Sequence, residues 1–349
     1  MPKIAQKMKV CFCGSGSGGH LKPLVALHLK MKDKCEGSFF LSTPHPFDSS
    51  FLREWNINAI FLKYTRISQG NLIYILWKVF YSLIETCFIL KKEKPTILIG
   101  TGGYGCFPAY LACVLFSIDF YIIEPNSICG KVNKWFQSYA KTIFTHFPSV
   151  LGLKNTSNIK RSGVPLVYAS VIPQKKDLIV IFGASLGARA INQFMKKYFE
   201  AYGGDVENHY IWITGKNDYE EFSYFNQHKN IEVYSFVKDM QIYLQRAKLI
   251  IARSGAGCIA DVEYFKVPAI FIPYPYHSDR QQYLNTEYLS KIGSCIVWDE
   301  SSLDSREKNR CNELKQLIRS EGLDDMKDCF ESLDSINASD FILNTLKEC

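Results

Sequence analysis

Short apolar runs alternate with longer amphipathic stretches along almost the whole chain. The runs at 9–13, 38–42, 97–99, 120–123, 178–182, 209–213, 249–251 and 269–272 are nearly continuous in apolar residues. Strands buried on both faces of a parallel sheet have that form. The stretches between them are long enough for crossover helices, so the pattern predicts an α/β fold with parallel sheets. The series pauses at 151–174, where Gly152, Asn155, Ser157, Asn158, Gly163, Pro165 and Pro173 outnumber periodic residues. Turn-formers of this density mark a linker. The expected organisation is therefore one Rossmann-like domain at 1–162 and a second at 163–333, with a helical segment at 334–349 crossing back to the first.

One segment departs from the alternation. Residues 71–90 are nearly all apolar, with only Lys78 and Glu85 charged. Length alone would allow a membrane-spanning helix. However, Asn71, Lys78, Ser82 and Glu85 recur at helical spacing and form one polar stripe. Two readings remain open. The segment is a buried crossover helix, or Ile73, Leu76, Trp77 and Phe80 form an exposed apolar patch flanked by Lys63, Arg66, Lys91, Lys92 and Lys94. In the second reading the patch rests on an anionic bilayer.

The composition is that of a globular protein, with 47% hydrophobic and 21% charged residues in 349, which excludes a disordered or fibrous chain. That length accommodates two domains. The net charge of +7 conceals an asymmetry. Residues 1–165 carry 20 basic and 8 acidic side chains, and the remainder carries 21 basic and 26 acidic ones. A basic first half points to an anionic partner for that half. The twelve cysteines are scattered, several inside apolar runs, and no Cys-x-x-Cys pair suggests a zinc site. The first residues lack the apolar core of a signal peptide. A reducing cytoplasm is the expected compartment.

The candidate chemistry lies in glycine loops. Gly14-Ser-Gly-Ser-Gly-Gly-His20 follows the first strand and contains G-x-G-x-x-G at Gly14, Gly16 and Gly19. A dinucleotide site would also need a carboxylate at the end of the second strand, for the ribose. That strand ends in Thr43-Pro-His-Pro, which argues against a dehydrogenase. A phosphate-binding helix start remains, with His20 aimed at the same crevice. Similar loops follow two more strands, Gly100-Thr-Gly-Gly-Tyr-Gly105 and Gly183-Ala-Ser-Leu-Gly-Ala-Arg189. Neither a Walker lysine nor a metal-ligand cluster accompanies them. Helix dipoles, backbone amides and arginines are therefore expected to meet the phosphate charge, with no tightly bound metal and no cofactor.

Two further constellations belong to the second half. Arg253-Ser-Gly-Ala-Gly-Cys-Ile-Ala-Asp261 follows a strand and opens a helix, placing Asp261 about one turn inside it. Amides for a diphosphate and a carboxylate for ribose hydroxyls are what a nucleotide sugar requires. Pro273-Tyr-Pro-Tyr-His-Ser-Asp-Arg-Gln-Gln282 follows another strand, and its two glutamines offer donors and acceptors suited to neutral sugar hydroxyls. Ligands of open α/β sheets bind at such carboxyl ends of strands.

Taken in order, these motifs resemble the MurG family of peptidoglycan glycosyltransferases. The resemblance spans roughly residues 9–300 and is carried by Ser17-Gly-Gly-His20 with Pro23, Gly100-Thr-Gly-Gly-Tyr104, Glu124-Pro-Asn126 with Asn133-Lys-Trp135, the glycine loop to Arg189 with Asn192, Arg253-Ser-Gly-Ala256, and Asp279-Arg-Gln-Gln282. It implies a GT-B fold, two Rossmann-like domains facing a cleft. The implied activity is inverting transfer of N-acetylglucosamine (GlcNAc) from UDP-GlcNAc to an undecaprenyl-pyrophosphate-linked acceptor, lipid I, giving lipid II. It also implies a peripheral place on the cytoplasmic face of the inner membrane, among proteins of cell-wall synthesis and division, and no nucleic-acid partner.

By position, the resemblance assigns the donor to Ser17, Gly18, Gly19, Asn126, Ser185, Gly187, Arg189, Asn192, Phe236, Val237, Arg253, Ser254, Gly255, Ala256, Gly257, Asp261, Gln281 and Gln282. It assigns the acceptor pyrophosphate to Ser15, Gly16, Ser17, Gly18, Gly102, Gly103 and Tyr104. His20 is the candidate base, with Glu124 as its competitor and Asn126 as an orienting group. The chain departs from the family pattern at Asp261, where a Glu is expected, and at 163–167, where Val164 and Val167 replace Asn and Arg. Gly257 and Cys258 replace a bulkier residue and a Thr. The alternatives are a GT-B enzyme for another polyprenyl-linked glycan and a weakly active nucleotide-sugar-binding scaffold.

Overall fold

The computed structural model describes residues 8–16, 18–63, 72–154, 157–168, 176–183, 187–203, 207–333 and 337–348, with side chains omitted at 72–76. The chain divides into two compact units, 1–167 with 336–349, and 168–335. The first unit extends beyond the expected boundary at 162, ending at 167 inside the turn-rich stretch, because Val164 is buried and Val167 packs against the first core.

The first unit is built on seven parallel strands: β1 Lys9–Cys13, β2 Gly37–Ser42, β3 Ala59–Phe61, β4 Ile97–Gly100, β5 Asp119–Glu124, β6 Thr142–Thr145 and β7 Ile159–Arg161. Their spatial order is β3-β2-β1-β4-β5-β6-β7. Strand order reverses between β1 and β4, which are paired Val10 to Ile97 through Cys13 to Gly100. The helices that follow those two strands therefore pack on opposite faces of the sheet, and the strand ends between them are the usual ligand position in such sheets. One core packs Phe12, Phe40, Tyr121 and Phe144 beneath the helix Gly18–Met31. A second core on the opposite face gathers Cys11, Cys13, Cys106 and Cys113 under the helix Cys106–Phe116. The helix Ala338–Glu348 buries Ile342, Leu343 and Leu346 in the first of these cores.

The second unit repeats the plan with six strands: β8 Leu178–Phe182, β9 His209–Ile213, β10 Ile231–Tyr234, β11 Ala247–Ala252, β12 Ala269–Phe271 and β13 Cys295–Val297. Their order is β10-β9-β8-β11-β12-β13, again all parallel. Here the reversal falls between β8 and β11, so the 183–187 loop and the 253–257 segment leave adjacent strands. Trp212 of β9 anchors the core, ringed by Phe199, Phe222 and Phe225 at centroid distances of 5.1–5.5 Å. Burial of rings this size dominates core energetics.

The apolar segment forms the helix Leu72–Glu93. Asn71 of the expected polar stripe, and the side chains of Ile73 and Leu76, lie outside the described residues. The remainder of the stripe does not form one exposed face. Ser82 is buried, Glu85 accepts a hydrogen bond from the backbone of Lys63 at 2.9 Å, and Lys78 is half-exposed. The exposed row is instead apolar, with Trp77 50%, Phe80 63%, Ile84 39% and Phe88 71% exposed. Thr86, also buried, donates its Oγ1 hydroxyl to the carbonyl of Ser82 at 2.7 Å, so that hydroxyl lies against the protein without a stranded donor. The buried-helix reading is thereby corrected. Among the described residues, no helix is long and apolar enough to cross a membrane.

Candidate active site

In the first unit, the loops after β1 and β4 lock into each other. Ser15, buried, accepts a hydrogen bond on Oγ from the Gly105 amide at 3.3 Å. Gly102 has φ +89°, and a Cβ there would stand 2.8 Å from Asn133 Oδ1. Only glycine fits that place, so the loop backbone lies directly on Asn133. Gly103 follows at the same turn, and Tyr104 projects outward, 58% exposed. Gly16 and Gly19 are exposed, and Gly18 begins the helix that carries His20. Ser17 lies outside the described residues.

Sequence reasoning missed the residue that shapes the first loop. Asp48, fully buried in the helix Pro46–Glu54, accepts from the Gly16 amide at 2.9 Å, from Thr43 Oγ1 at 2.5 Å and from Ser42 Oγ at 3.2 Å. The second strand does have its carboxylate, six residues past the strand end, but it is spent on the protein's own loop. A proline-initiated helix start after Thr43 was the available signal.

His20 is fixed by two bonds to one residue. Its Nδ1 lies 3.0 Å from the carbonyl oxygen of Thr101, and Thr101 Oγ1 donates to the His20 carbonyl at 2.9 Å. A carbonyl oxygen can only accept, so Nδ1 carries the proton and Nε2 presents a lone pair. Burial lowers the imidazole pKa below its ordinary value, with the Thr101 bond and the Asp48 charge opposing the shift. The ring is thus neutral near pH 7 and its basic nitrogen is Nε2.

Glu124, at the end of β5 and 1% exposed, is differently employed. One oxygen accepts from the Gly130 amide at 2.8 Å and from Asn133 Nδ2 at 2.9 Å, and the other from the amide of Asn126 at 3.1 Å and its Nδ2 at 3.4 Å. Burial pushes its pKa up against the pull of these donors. Four inward-facing bonds make this carboxylate a hub under Asn126 and Asn133 rather than a group presented to a substrate.

In the second unit, Ser185 lies outside the described residues. Gly187 has φ +89°, and a Cβ there would run into the Thr214 carbonyl. Several expected ligands prove to be braces. Arg189 donates to Asp218 at 3.1 Å, pairs with Glu221 and lies over the Phe222 ring. Asn192, buried, donates to Thr214 O at 2.9 Å and Asp218 Oδ2 at 2.7 Å, and accepts from Trp212 Nε1 at 3.0 Å. Arg253, 8% exposed, donates to the carbonyls of Ile272 and Pro273 at 3.0 and 3.2 Å and pairs with Glu300. Its guanidinium fastens the loop after β12 and does not face outward, so the expectation that it grips a diphosphate needs correction. Glu300, whose attachment to Arg253 is 47 residues distant, gave no local signal in the sequence.

The helix Ala256–Phe265 starts beside this brace. Ser254 Oγ donates to the Gln282 carbonyl at 2.9 Å, while open space surrounds the positions where Gly255 and Gly257 would carry side chains. The first amides of a helix have no intrahelical acceptor, so this end can receive an anion. Asp261, in the same helix, accepts from Tyr168 Oη at 2.8 Å. Gln281 and Gln282 open the helix Gln281–Lys291, and Gln282 Oε1 accepts from the Tyr274 amide at 2.9 Å. Phe236 is 54% exposed just past β10, and Val237 follows it, half-exposed.

Two parallel sheets, each reversing strand order at its centre, define a protein of two Rossmann-like domains. Residues 10–145 match the glycosyltransferase family 28 N-terminal domain, and residues 178–328 match the family 28 C-terminal domain. A Trichodesmium erythraeum protein named UDP-N-acetylglucosamine–N-acetylmuramyl-(pentapeptide) pyrophosphoryl-undecaprenol N-acetylglucosamine transferase is 31% identical over 93% of this chain and 88% of its own length. A Myxococcus xanthus protein of the same name is 27% identical over 90% and 88%. The crystal structure of Acinetobacter baumannii MurG superposes with a TM-score of 0.79 at 23% identity, covering 98% of this chain and all of that one. A UDP-GlcNAc 2-epimerase from Neisseria meningitidis, bound to UDP-GlcNAc, shares the fold with a TM-score of 0.65 at 14% identity. The chain belongs to the MurG family of glycosyltransferases.

Proposed function

We propose that this protein transfers GlcNAc from UDP-GlcNAc to the MurNAc 4-hydroxyl of lipid I, forming lipid II with inversion at the anomeric carbon. The observation that carries the mechanism is the fixed tautomer of His20, a neutral imidazole with Nε2 as its basic atom at the strand reversal of the first sheet. In the proposed step Nε2 accepts the proton of the acceptor hydroxyl as its oxygen bonds to the anomeric carbon. The bond from that carbon to the UDP oxygen breaks, and its electron pair leaves on the diphosphate. One displacement inverts the centre. The leaving charge would be met by the first amides of Ala256–Phe265 and the 183–187 loop. Asp261 would hold the ribose, Phe236 and Val237 would border the uracil, and Gln281 and Gln282 would meet the sugar. Gln282 uses its oxygen on Tyr274, so it would offer the sugar its NH2. The acceptor pyrophosphate would lie on Ser15, Gly16, Gly18, Gly102, Gly103 and Tyr104, in the basic unit.

The names of the relatives and the basic first unit support lipid I as acceptor. Labelled UDP-GlcNAc offered together with a short-chain lipid I analogue and a polyprenyl pyrophosphate bearing another sugar separates the readings. Labelling of the lipid I analogue is expected, and labelling only of the other acceptor contradicts the assignment.

The exposed row Trp77, Phe80, Ile84 and Phe88 would seat the protein peripherally on the cytoplasmic leaflet, with Lys91, Lys92 and Lys94 meeting anionic headgroups. Each aromatic ring withdrawn from water contributes about 1.5–3 kcal/mol. Replacing Trp77 and Phe88 by Glu should lower sedimentation with anionic vesicles by at least tenfold, roughly, while leaving the melting temperature unchanged. Equal sedimentation of variant and parent would remove this face from the membrane contact. Docking with proteins of cell-wall synthesis and division would use surfaces the vesicle assay does not probe.

A further inference from the structure

The loop after β1 is tied down at Gly14, Ser15, Gly16 and His20. Ser42 Oγ donates to the Gly14 carbonyl at 2.8 Å, Ser15 Oγ accepts from the Gly105 amide, Asp48 accepts from the Gly16 amide, and His20 is bonded to Thr101. The Gly16 tie differs from the others because its partner is a fully buried carboxylate. Burying a carboxylate is costly unless its oxygens are filled. Asp48 Oδ1 takes the Gly16 amide and Oδ2 takes the Thr43 and Ser42 hydroxyls, so both oxygens are used. The residue also lies in the first turn of Pro46–Glu54, where the helix dipole favours negative charge.

Gly16 has φ +90°, and open space surrounds the position where it would carry a Cβ. Its amide is thus turned inward to Asp48 while the residue itself is exposed. A loop held in this way does not have to be ordered by its ligand, which spares affinity. The same carboxylate acts on the base. Burial lowers the His20 pKa, and the Thr101 carbonyl from the β4 loop and the Asp48 charge from Pro46–Glu54 oppose it. Once Nε2 has taken the acceptor proton the ring is a buried cation, which a buried anion stabilises.

We propose that Asp48 is a positioning residue for the acceptor side of the reaction, holding the 14–20 loop in the shape that receives the acceptor's diphosphate and supplying the counter-charge to His20. This rests on the acceptor reading above.

The test measures, on the full chain, the KM for a short-chain lipid I analogue, the Kd for UDP-GlcNAc and the pH profile of kcat. Asp48→Ala should raise the acceptor KM about tenfold and leave the UDP-GlcNAc Kd within about twofold, because the expected donor groups of the second unit are untouched. Asp48→Asn keeps an oxygen for the Gly16 amide and can give its NH2 to the Thr43 and Ser42 hydroxyls. Its acceptor KM should therefore return to near the parental value. The charge is gone, however, so the imidazolium is less favoured and the acidic limb of kcat should move to lower pH. Thr43→Val removes one bond to Asp48 with little change of shape and should raise the acceptor KM about threefold, which carries the test if the alanine variant does not fold. An acceptor KM unchanged in the alanine and valine variants overturns the proposal, as does a rise matched by the Kd for UDP-GlcNAc, which would mean general loosening. An acidic limb that stays in place in Asp48→Asn overturns the counter-charge. A parent that makes no product from the analogue would instead overturn the acceptor reading itself.

Discussion

His20→Ala should lower kcat by roughly a thousandfold, within the range expected for losing a general base, while the Kd for UDP-GlcNAc stays within about twofold. The two effects separate because the bond that closes the loop uses the His20 backbone carbonyl, accepting from Thr101 Oγ1, and this survives the substitution. The pH profile gives the same residue a second readout. The base works when neutral, and its pKa is lowered by burial. Activity should therefore persist below the ordinary histidine value and fall only as pH drops through the depressed one. An acidic limb lying above the ordinary histidine pKa would contradict this environment. Binding lost together with kcat would show that His20 orders the site rather than carrying the proton.

Glu124→Gln should act mainly on stability. The Gly130 amide and Asn133 Nδ2 both donate to one carboxylate oxygen. An amide can offer an oxygen to that pair or to Asn126, but not to both. At about 1.5–3 kcal/mol for each bond to a charged group, partly offset by no longer burying a charge, the net loss is about 2–4 kcal/mol. For a domain of this size that is a fall of roughly 5–12 °C in melting temperature. The acidic limb of the rate profile should remain, because His20 supplies it. Its disappearance in Glu124→Gln, with little change in melting temperature, would make Glu124 the base.

The central strands and glycine loops were legible because buried parallel strands are continuous apolar runs and the turns after them carry glycine. Five strands were not: β3, β6, β7, β10 and β13 are three or four residues long and lie toward the sheet edges. Runs that short show no periodicity, and the equally short β4 and β12 were marked only by the candidate loops that follow them. The loops were read correctly as loops, but the direction of their side chains was not. Arg253, Arg189 and Asn192 resemble ligands by sequence position, yet each is satisfied by partners such as Glu300, Asp218 and Thr214 that lie far along the chain. Asp48 had no motif to mark it, since it acts through a bond to a loop brought close only by folding. The helix at 72–93 shows the same limit, because its polar stripe is evident in sequence while the choice of which stripe faces the protein is made by the neighbouring helix and sheet.

The central claim is that one displacement at the anomeric carbon joins GlcNAc to lipid I. Its most direct test is the anomeric configuration and linkage, read by NMR, of the product that the full chain makes from UDP-GlcNAc and a lipid I analogue. A β-linked GlcNAc on the MurNAc 4-hydroxyl is the predicted result. An α-linkage, or GlcNAc released to water with the acceptor unchanged, would contradict it.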